Sequence, residues 1–255
     1  MPIGEVEKHP FLNQGKIKDA NKMILGSFPV YECTDPENCC KQEKRKYEGS
    51  VKFFYGSNRS SLWTKYSEFI DNSITKPWNP ECIIKSLETN KIAITDLIVS
   101  CERFKIDKNK RTGEQIINQF SSEDSALHNE VLNYETIIEL INNGVTKILC
   151  TSKGVLDKLD KKIIRKSKEK IASEIRTETI HLQEKFIKEI GGDSKSIINP
   201  VCRVYETKNK ERLEVISIPS PGSPQRRIKD FGYNGDKKIE YANTYFEKAF
   251  DWFKA

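Results

Sequence analysis

Four apolar runs of strand length, Lys22 to Ser27, Lys91 to Thr95, Lys147 to Thr151 and Leu213 to Ile218, each lead into Gly, Pro, Ser or Asp, and stretches of helical spacing separate them. A short run that is apolar throughout, without alternation, suits a strand buried on both faces. Strands that alternate with helices imply β-α-β units, right-handed crossovers and a parallel sheet covered on both sides. The fold expected is therefore α/β: a three-layer α/β/α sandwich with a central, mainly parallel four-stranded sheet. In such a sheet ligands bind beyond the carboxyl ends of the strands.

The intervening segments fit that scheme. Leu62 to Ile70 carries Leu62, Tyr66, Phe69 and Ile70 at helical spacing, and Asn129 to Ile141 repeats Val131, Leu132, Ile137, Ile138 and Ile141 before Gly144 stops the helix. A Lys/Glu-rich helical region runs from Val155 to Ile190, with a break near Thr177 to Thr179 and a stop at Gly191-Gly192. A last helix, Ile239 to Phe253, lines up Ile239, Ala242, Tyr245, Phe246, Ala249 and Phe253. A chain of 255 residues can bury a full core as one unit, so a single domain over 1–255 is expected, with polar excursions near 31–52 and 105–124.

Composition removes several classes. Charged residues make up 31% of the chain and no apolar run nears the ~20 residues of a membrane span, so no membrane partner is expected. Met1 to Lys8 is polar and lacks the apolar core of an export signal, which points to a cytoplasmic address. The seven cysteines are odd in number and irregular in spacing, as befits reduced thiols. Cys33, Cys39 and Cys40 form no C-x-x-C pair, and adjacent cysteines do not readily share one tetrahedral ion, so neither metal nor cofactor is expected. A phosphate loop and a dinucleotide fingerprint are also missing from the sequence.

The net charge of +6 favours a polyanionic partner without proving one. Between Lys158 and Lys170 seven basic residues face two acids, a pattern that reads first as a solvated helix face. His9, His128 and His181 lie outside the stretches that follow the strands, so a histidine base is not expected.

The chemistry is sought at the strand ends. Leu25-Gly26-Ser27-Phe28-Pro29 ends the first run, Thr95-Asp96 ends the second and leads to Ser100-Cys101-Glu102-Arg103, and Ile218-Pro219-Ser220-Pro221-Gly222-Ser223-Pro224 ends the last. Between the first two lies Phe54-Tyr55-Gly56-Ser57-Asn58-Arg59-Ser60-Ser61-Leu62-Trp63. With His9-Pro10-Phe11 ahead of them, these pieces and their order resemble the uracil-DNA glycosylase superfamily, nearest the branch that releases hypoxanthine and uracil from DNA. The resemblance runs from about residue 9 to 227.

It implies a glycosylase that hydrolyses the N-glycosidic bond of a deaminated base flipped out of DNA, acting as a monomer without cofactor. Such a site must accept an extruded nucleotide, hold its base by stacking and edge contacts, and position water against developing positive charge on the sugar. The resemblance assigns Gly26, Ser27, Phe28, Pro29, Phe54 and Tyr55 to the base pocket, and places Ser152 where relatives carry an amide that reads the base. Phe54 reads equally well as core. Pro219, Ser220, Gly222 and Ser223 match the loop that enters the duplex, with Arg59, Arg226 and Arg227 suited to phosphates.

One departure bears on activity. The family pattern runs Tyr-Tyr-Gly-His-Pro-Arg-Asn-x-Phe-Trp, and here Ser60 stands at the asparagine position while Asn58 falls two residues earlier. Three water-positioning candidates follow: Asn58, Ser60 and Asp96. With no lysine placed at a strand end, a Schiff-base mechanism is not expected. The rival expectation is a weak or inactive nucleic-acid-binding module of the same fold.

Overall fold

The structure is a computed structural model that describes residues 6–30, 33, 49–108, 112–118, 124–166 and 171–255. In chain order its strands are Val6–Lys8 (β1), Lys22–Gly26 (β2), Ile92–Asp96 (β3), Ile98–Arg103 (β4), Lys105–Lys108 (β5), Gln115–Asn118 (β6), Leu127–Leu132 (β7), Lys147–Cys150 (β8), Ala172–Glu174 (β9), Cys202–Thr207 (β10) and Arg212–Ser217 (β11). The α-helices are Leu62–Phe69 (α1), Pro80–Thr89 (α2), Tyr134–Asn142 (α3), Lys153–Lys158 (α4), Arg176–Glu189 (α5) and Lys238–Lys254 (α6).

All four apolar runs are strands, and they lie side by side. The main sheet has the order β3-β2-β8-β11-β10-β9. Pairing is parallel between β2 and β3, β2 and β8, and β8 and β11, whereas β10 is antiparallel to β11 and β9 to β10. The sheet is thus six-stranded and mostly parallel, which corrects the expected four strands. Charge hid β10: it reads Cys-Arg-Val-Tyr-Glu-Thr, and its Arg203 is buried only because carboxylates accompany it.

Alternate residues of the parallel strands feed two cores. Met23, Leu25, Ile148, Cys150, Leu213 and Val215 pack with Ile137, Ile138 and Ile141 of α3 and Val155 and Leu156 of α4. Ile24, Ile94, Leu149 and Ile216 pack on the other side with Leu62 and Trp63 of α1, Ile83 of α2, Phe186 of α5 and Tyr245, Phe246 and Phe250 of α6. Helices therefore cover both faces, as strands apolar on both sides demand. Asn79 caps α2, its side-chain oxygen accepting from Glu81 N at 2.8 Å, and Pro80 occupies the first turn, where its missing N–H costs nothing.

Two helical expectations need correction. The first half of Asn129 to Ile141 belongs to β7, which pairs with β4 in a separate antiparallel sheet of order β1-β4-β7. Only the part after Asn133 is helical. The Val155 to Ile190 region breaks earlier than Thr177: α4 continues as a π-helical turn, Leu159–Ile164, and β9 precedes α5. Thr179 lies within α5, where its hydroxyl accepts from Val204 N at 2.9 Å.

The described part of the 105–124 excursion is a β5–β6 hairpin. Of the 31–52 excursion, Cys33 is buried, while Cys39 and Cys40 lie outside the described residues. Among the described residues no helix is long and apolar enough to cross a membrane.

Candidate functional site

Strand order reverses between β2 and β8. From β2 the chain crosses to β3 on one side, then returns over β2 to β8 on the other, and ligands bind where such a reversal separates the strand ends. The ends stay tied together past the last paired residues. Leu97 N donates to Gly26 O at 2.9 Å, Thr151 N to Leu25 O at 3.0 Å and Ile218 N to Cys150 O at 2.8 Å.

Tyr55 reaches these strand ends from the loop before α1. Its hydroxyl is hydrogen-bonded to Thr151 Oγ1, which also lies 3.2 Å from the Leu25 carbonyl oxygen. A carbonyl can only accept, so Thr151 gives its proton to Leu25 and Tyr55 gives its own to Thr151. Tyr55 holds φ at +52°, in the left-handed region that few non-glycine residues adopt and that concentrates at functional sites. Beside it, a Cβ on Gly26 would collide with Asp96 Oδ1 and the Tyr55 hydroxyl. Glycine is required there by close approach.

Asp96 ends β3 directly opposite Gly26 and is 2% exposed. Its Oδ2 lies 2.8 Å from Nε2 of His9, whose ring Nδ1 receives the Phe11 backbone N–H at 3.1 Å. A backbone N–H can only donate, so Nδ1 is the bare nitrogen and Nε2 carries the proton given to Asp96. Rings of Phe11, Phe28 and Phe54 surround the imidazole with centroids 5.9, 5.5 and 5.2 Å away. Asn133 Nδ2 fixes the strand end by donating to Thr95 Oγ1 at 2.9 Å and to the Asp96 carbonyl at 3.1 Å. The second carboxylate oxygen, Oδ1, is buried and has no hydrogen-bond partner among the described residues.

His9 therefore corrects the view that the histidines stand apart from the strand ends. It sits beyond β1, whose pairing with β4 carries it to the end of β3. That antiparallel pairing spans about 90 residues of sequence, and no local pattern announces it.

The β2 turn is braced from the same sheet. Arg103 Nη2 donates to the Pro29 carbonyl at 2.7 Å, its Nε bonds the Glu7 carboxylate at 3.0 and 3.1 Å, and its guanidinium lies 5.5 Å from the Phe28 ring centroid. Phe28 and Ser27 are both 8% exposed beside it. Glu102 accepts from Asn129 Nδ2 at 2.9 Å, so Glu102 and Arg103 pair with neighbours and not with each other.

Other sequence-assigned residues spread around this centre. Phe54 is 1% exposed, its ring against His9, Phe11 and Phe53 and its carbonyl accepting from Trp63 Nε1 at 2.7 Å. Ser60 Oγ accepts from Leu62 N at 3.3 Å and thereby helps to start α1. Asn58 lines a separate cleft of about 410 Å³ with Gly49, Lys76, Pro77 and Trp78. Arg59 is exposed, and its backbone N–H donates to Ser57 Oγ at 3.3 Å. Ser152 caps α4, accepting from Val155 N at 3.2 Å, while the neighbouring Thr151 bonds the Leu25 carbonyl and Tyr55.

The last strand-end loop is joined to the second stretch. Pro221 O accepts from both Ser61 N at 3.0 Å and Ser61 Oγ at 2.9 Å. Pro219 and Pro221 are buried, whereas Ser220, Gly222, Arg226 and Arg227 are exposed and Ser223 is half-buried. Ser223 N closes a turn on Ser220 O at 3.0 Å. Buried prolines anchor a loop whose polar residues face out.

The basic run is partly neutralised, with Lys158 paired to Glu130 and Arg165 to Asp160. Its residues 167–170 lie outside the described set. No group of three or more His, Cys, Asp or Glu among the described residues could hold a metal ion. A scan of protein-family models and searches of curated proteins and of solved structures returned no match to this chain.

Proposed function

We propose that this protein is a DNA glycosylase of the uracil-DNA glycosylase type, built as a three-layer sandwich, which hydrolyses the N-glycosidic bond of a flipped deaminated base, uracil or hypoxanthine. The observation that carries the reading is the buried, unmatched Oδ1 of Asp96 at the end of β3, against Gly26 of β2, which borders the reversal of the parallel strands. Around it stand the Gly26 to Pro29 turn and Tyr55, which the sequence resemblance had assigned to a base pocket.

In this reading Asp96 does the work expected of the family asparagine. Its Oδ1 accepts a proton as water attacks the sugar C1′; the C1′–N bond breaks with its electron pair leaving on the base. The carboxylate also lies against the positive charge that develops on the sugar. Thr151 offers the base edge a hydroxyl once Tyr55 releases it, and the exposed Arg226 and Arg227 meet phosphates.

Recombinant protein should open alkali-labile sites in oligonucleotides containing uracil or hypoxanthine. A second reading, a binder that does not cleave, draws on the engagement of Ser60 at the start of α1. It requires salt-sensitive binding to the same oligonucleotides with no base release, and recovery of release in Ser60→Asn. Neither release nor salt-sensitive binding, in single or double strands, overturns both.

A further inference from the structure

We propose that His9 is the positioning residue of this site: as a neutral ring protonated on Nε2, it holds Asp96 so that one carboxylate oxygen is occupied and the other is left free for the reacting water. The inference rests on the function proposed above and adds a group that neither the strand-end stretches nor the resemblance assigned a role.

The geometry defines the ring completely. The His9 side chain is 0% exposed and that of Asp96 3%, so solvent does not compete for either nitrogen. Phe11 N–H at 3.1 Å requires a lone pair on Nδ1, which leaves the single ring proton on Nε2, 2.8 Å from Asp96 Oδ2. Double protonation would set an Nδ1–H against the Phe11 N–H and forfeit that bond. The surrounding Phe11, Phe28 and Phe54 rings hold the imidazole plane. A carboxylate pinned through Oδ2 by such a ring has only its Oδ1 left to act, and that oxygen lies against Gly26, where it and the Tyr55 hydroxyl fill the place a Cβ would take.

Two substitutions separate positioning from packing. His9→Phe keeps an aromatic ring in an aromatic cage but removes the donor; His9→Gln keeps an N–H donor at similar reach. At saturating oligonucleotide, His9→Phe should slow base release about 100-fold, the order expected when a reacting group is misplaced by about 1 Å. The concentration for half-maximal rate should move less than about threefold, and His9→Gln should recover most of the rate. A rate unchanged in His9→Phe, or equal losses in both variants, overturns the inference.

A second readout does not depend on turnover. Nitrogen NMR of the wild-type chain should show His9 with a bare Nδ1 and a protonated Nε2 at neutral pH. An Nδ1-protonated or doubly protonated ring overturns the inference even if the enzyme is active. If the wild type releases no base, the glycosylase reading fails on that measurement, and the positioning role fails with it even where the tautomer is as described.

Discussion

Asp96 and Asp160 are buried carboxylates at opposite reaches of the main sheet, and they are treated in opposite ways. Asp160, on the π-helical turn after α4, is 1% exposed and has both oxygens filled: Arg165 Nε at 2.9 Å to each, Tyr205 Oη at 3.0 Å to Oδ1, and Arg203 Nη2 at 3.4 Å to Oδ2. Glu174 on β9 completes the cluster with Arg165 at 2.9 Å and Arg203 at 2.7 Å. Asp96 is 2% exposed, has one neutral histidine on Oδ2 and, among the described residues, no hydrogen-bond partner on Oδ1. Burying a charge is costly unless it is paired, so a saturated carboxylate locks structure while an unsaturated one holds reactivity in reserve. Asp160 ties the antiparallel edge to the helical layer; Asp96 ends β3 with its free oxygen against Gly26.

The sharpest way to break this contrast is to neutralise each carboxylate. Asp96→Asn should lower base release by on the order of 10²–10⁴-fold, the range for losing a general base, with thermal stability unchanged or raised. Asp160→Ala should do the reverse, costing about 3–5 kcal/mol in denaturant unfolding because Tyr205 and Arg165 lose their buried acceptor and Arg203 is left with Glu174 alone of the two carboxylates, with release per folded molecule intact. Equal effects of both substitutions on stability would erase the distinction.

Gly26→Ala tests the space in front of Asp96. The added methyl collides with Asp96 Oδ1 and the Tyr55 hydroxyl, so a stability loss of about 1–3 kcal/mol and loss of base release should appear together. A fully active Gly26→Ala protein would mean that this space is not where the substrate sits.

On the Asp160 side, pH supplies the probe. Burial first, and then the neighbouring Asp160 charge, push the Tyr205 phenol well above its usual value. A group raised in the folded state contributes stability that is fully present below its unfolded value near pH 10 and is lost as pH rises beyond it. Alkaline titration should therefore show tyrosinate absorbance rising with unfolding above about pH 10, and Tyr205→Phe should flatten that loss.

The smallest effects belong to the rim. Arg226→Ala and Arg227→Ala should each weaken binding to any oligonucleotide and lower the salt slope by about 1, without changing which base is released.

How much was legible in the chain varies by element. Lys22 to Ser27, Lys147 to Thr151 and Leu213 to Ile218 were visible as strands because both of their faces are apolar. β4 and β7 were not, since each carries charged or polar residues and their pairing shifts register between Ile98 and Ser100 and again between Ser100 and Glu102. α2 also escaped notice, although Asn79-Pro80 before an apolar stripe is a start signal. Within the site, Gly26 to Pro29 and Asp96 could be named from their positions at strand ends, and Tyr55 only through the resemblance. His9 was named only as part of a motif, and Thr151 was passed over for Ser152. Which hydroxyl meets Tyr55 depends on a one-residue alternation at the end of β8, which pattern alone does not phase.

By itself the sequence determined the parallel strands, the helices on both faces and the edge of the sheet where polar residues gather, because burial on two sides demands unbroken apolar runs. Only tertiary structure decided which polar residues meet there. His9 and Asp96 are 87 positions apart and come together through β1 on β4, a hydrogen-bonded pairing of backbones that carries no side-chain signature. The same is true of the empty valence of Asp96: a chain specifies a carboxylate, but whether its second oxygen is satisfied is settled by every neighbour that folding brings, or fails to bring, within reach.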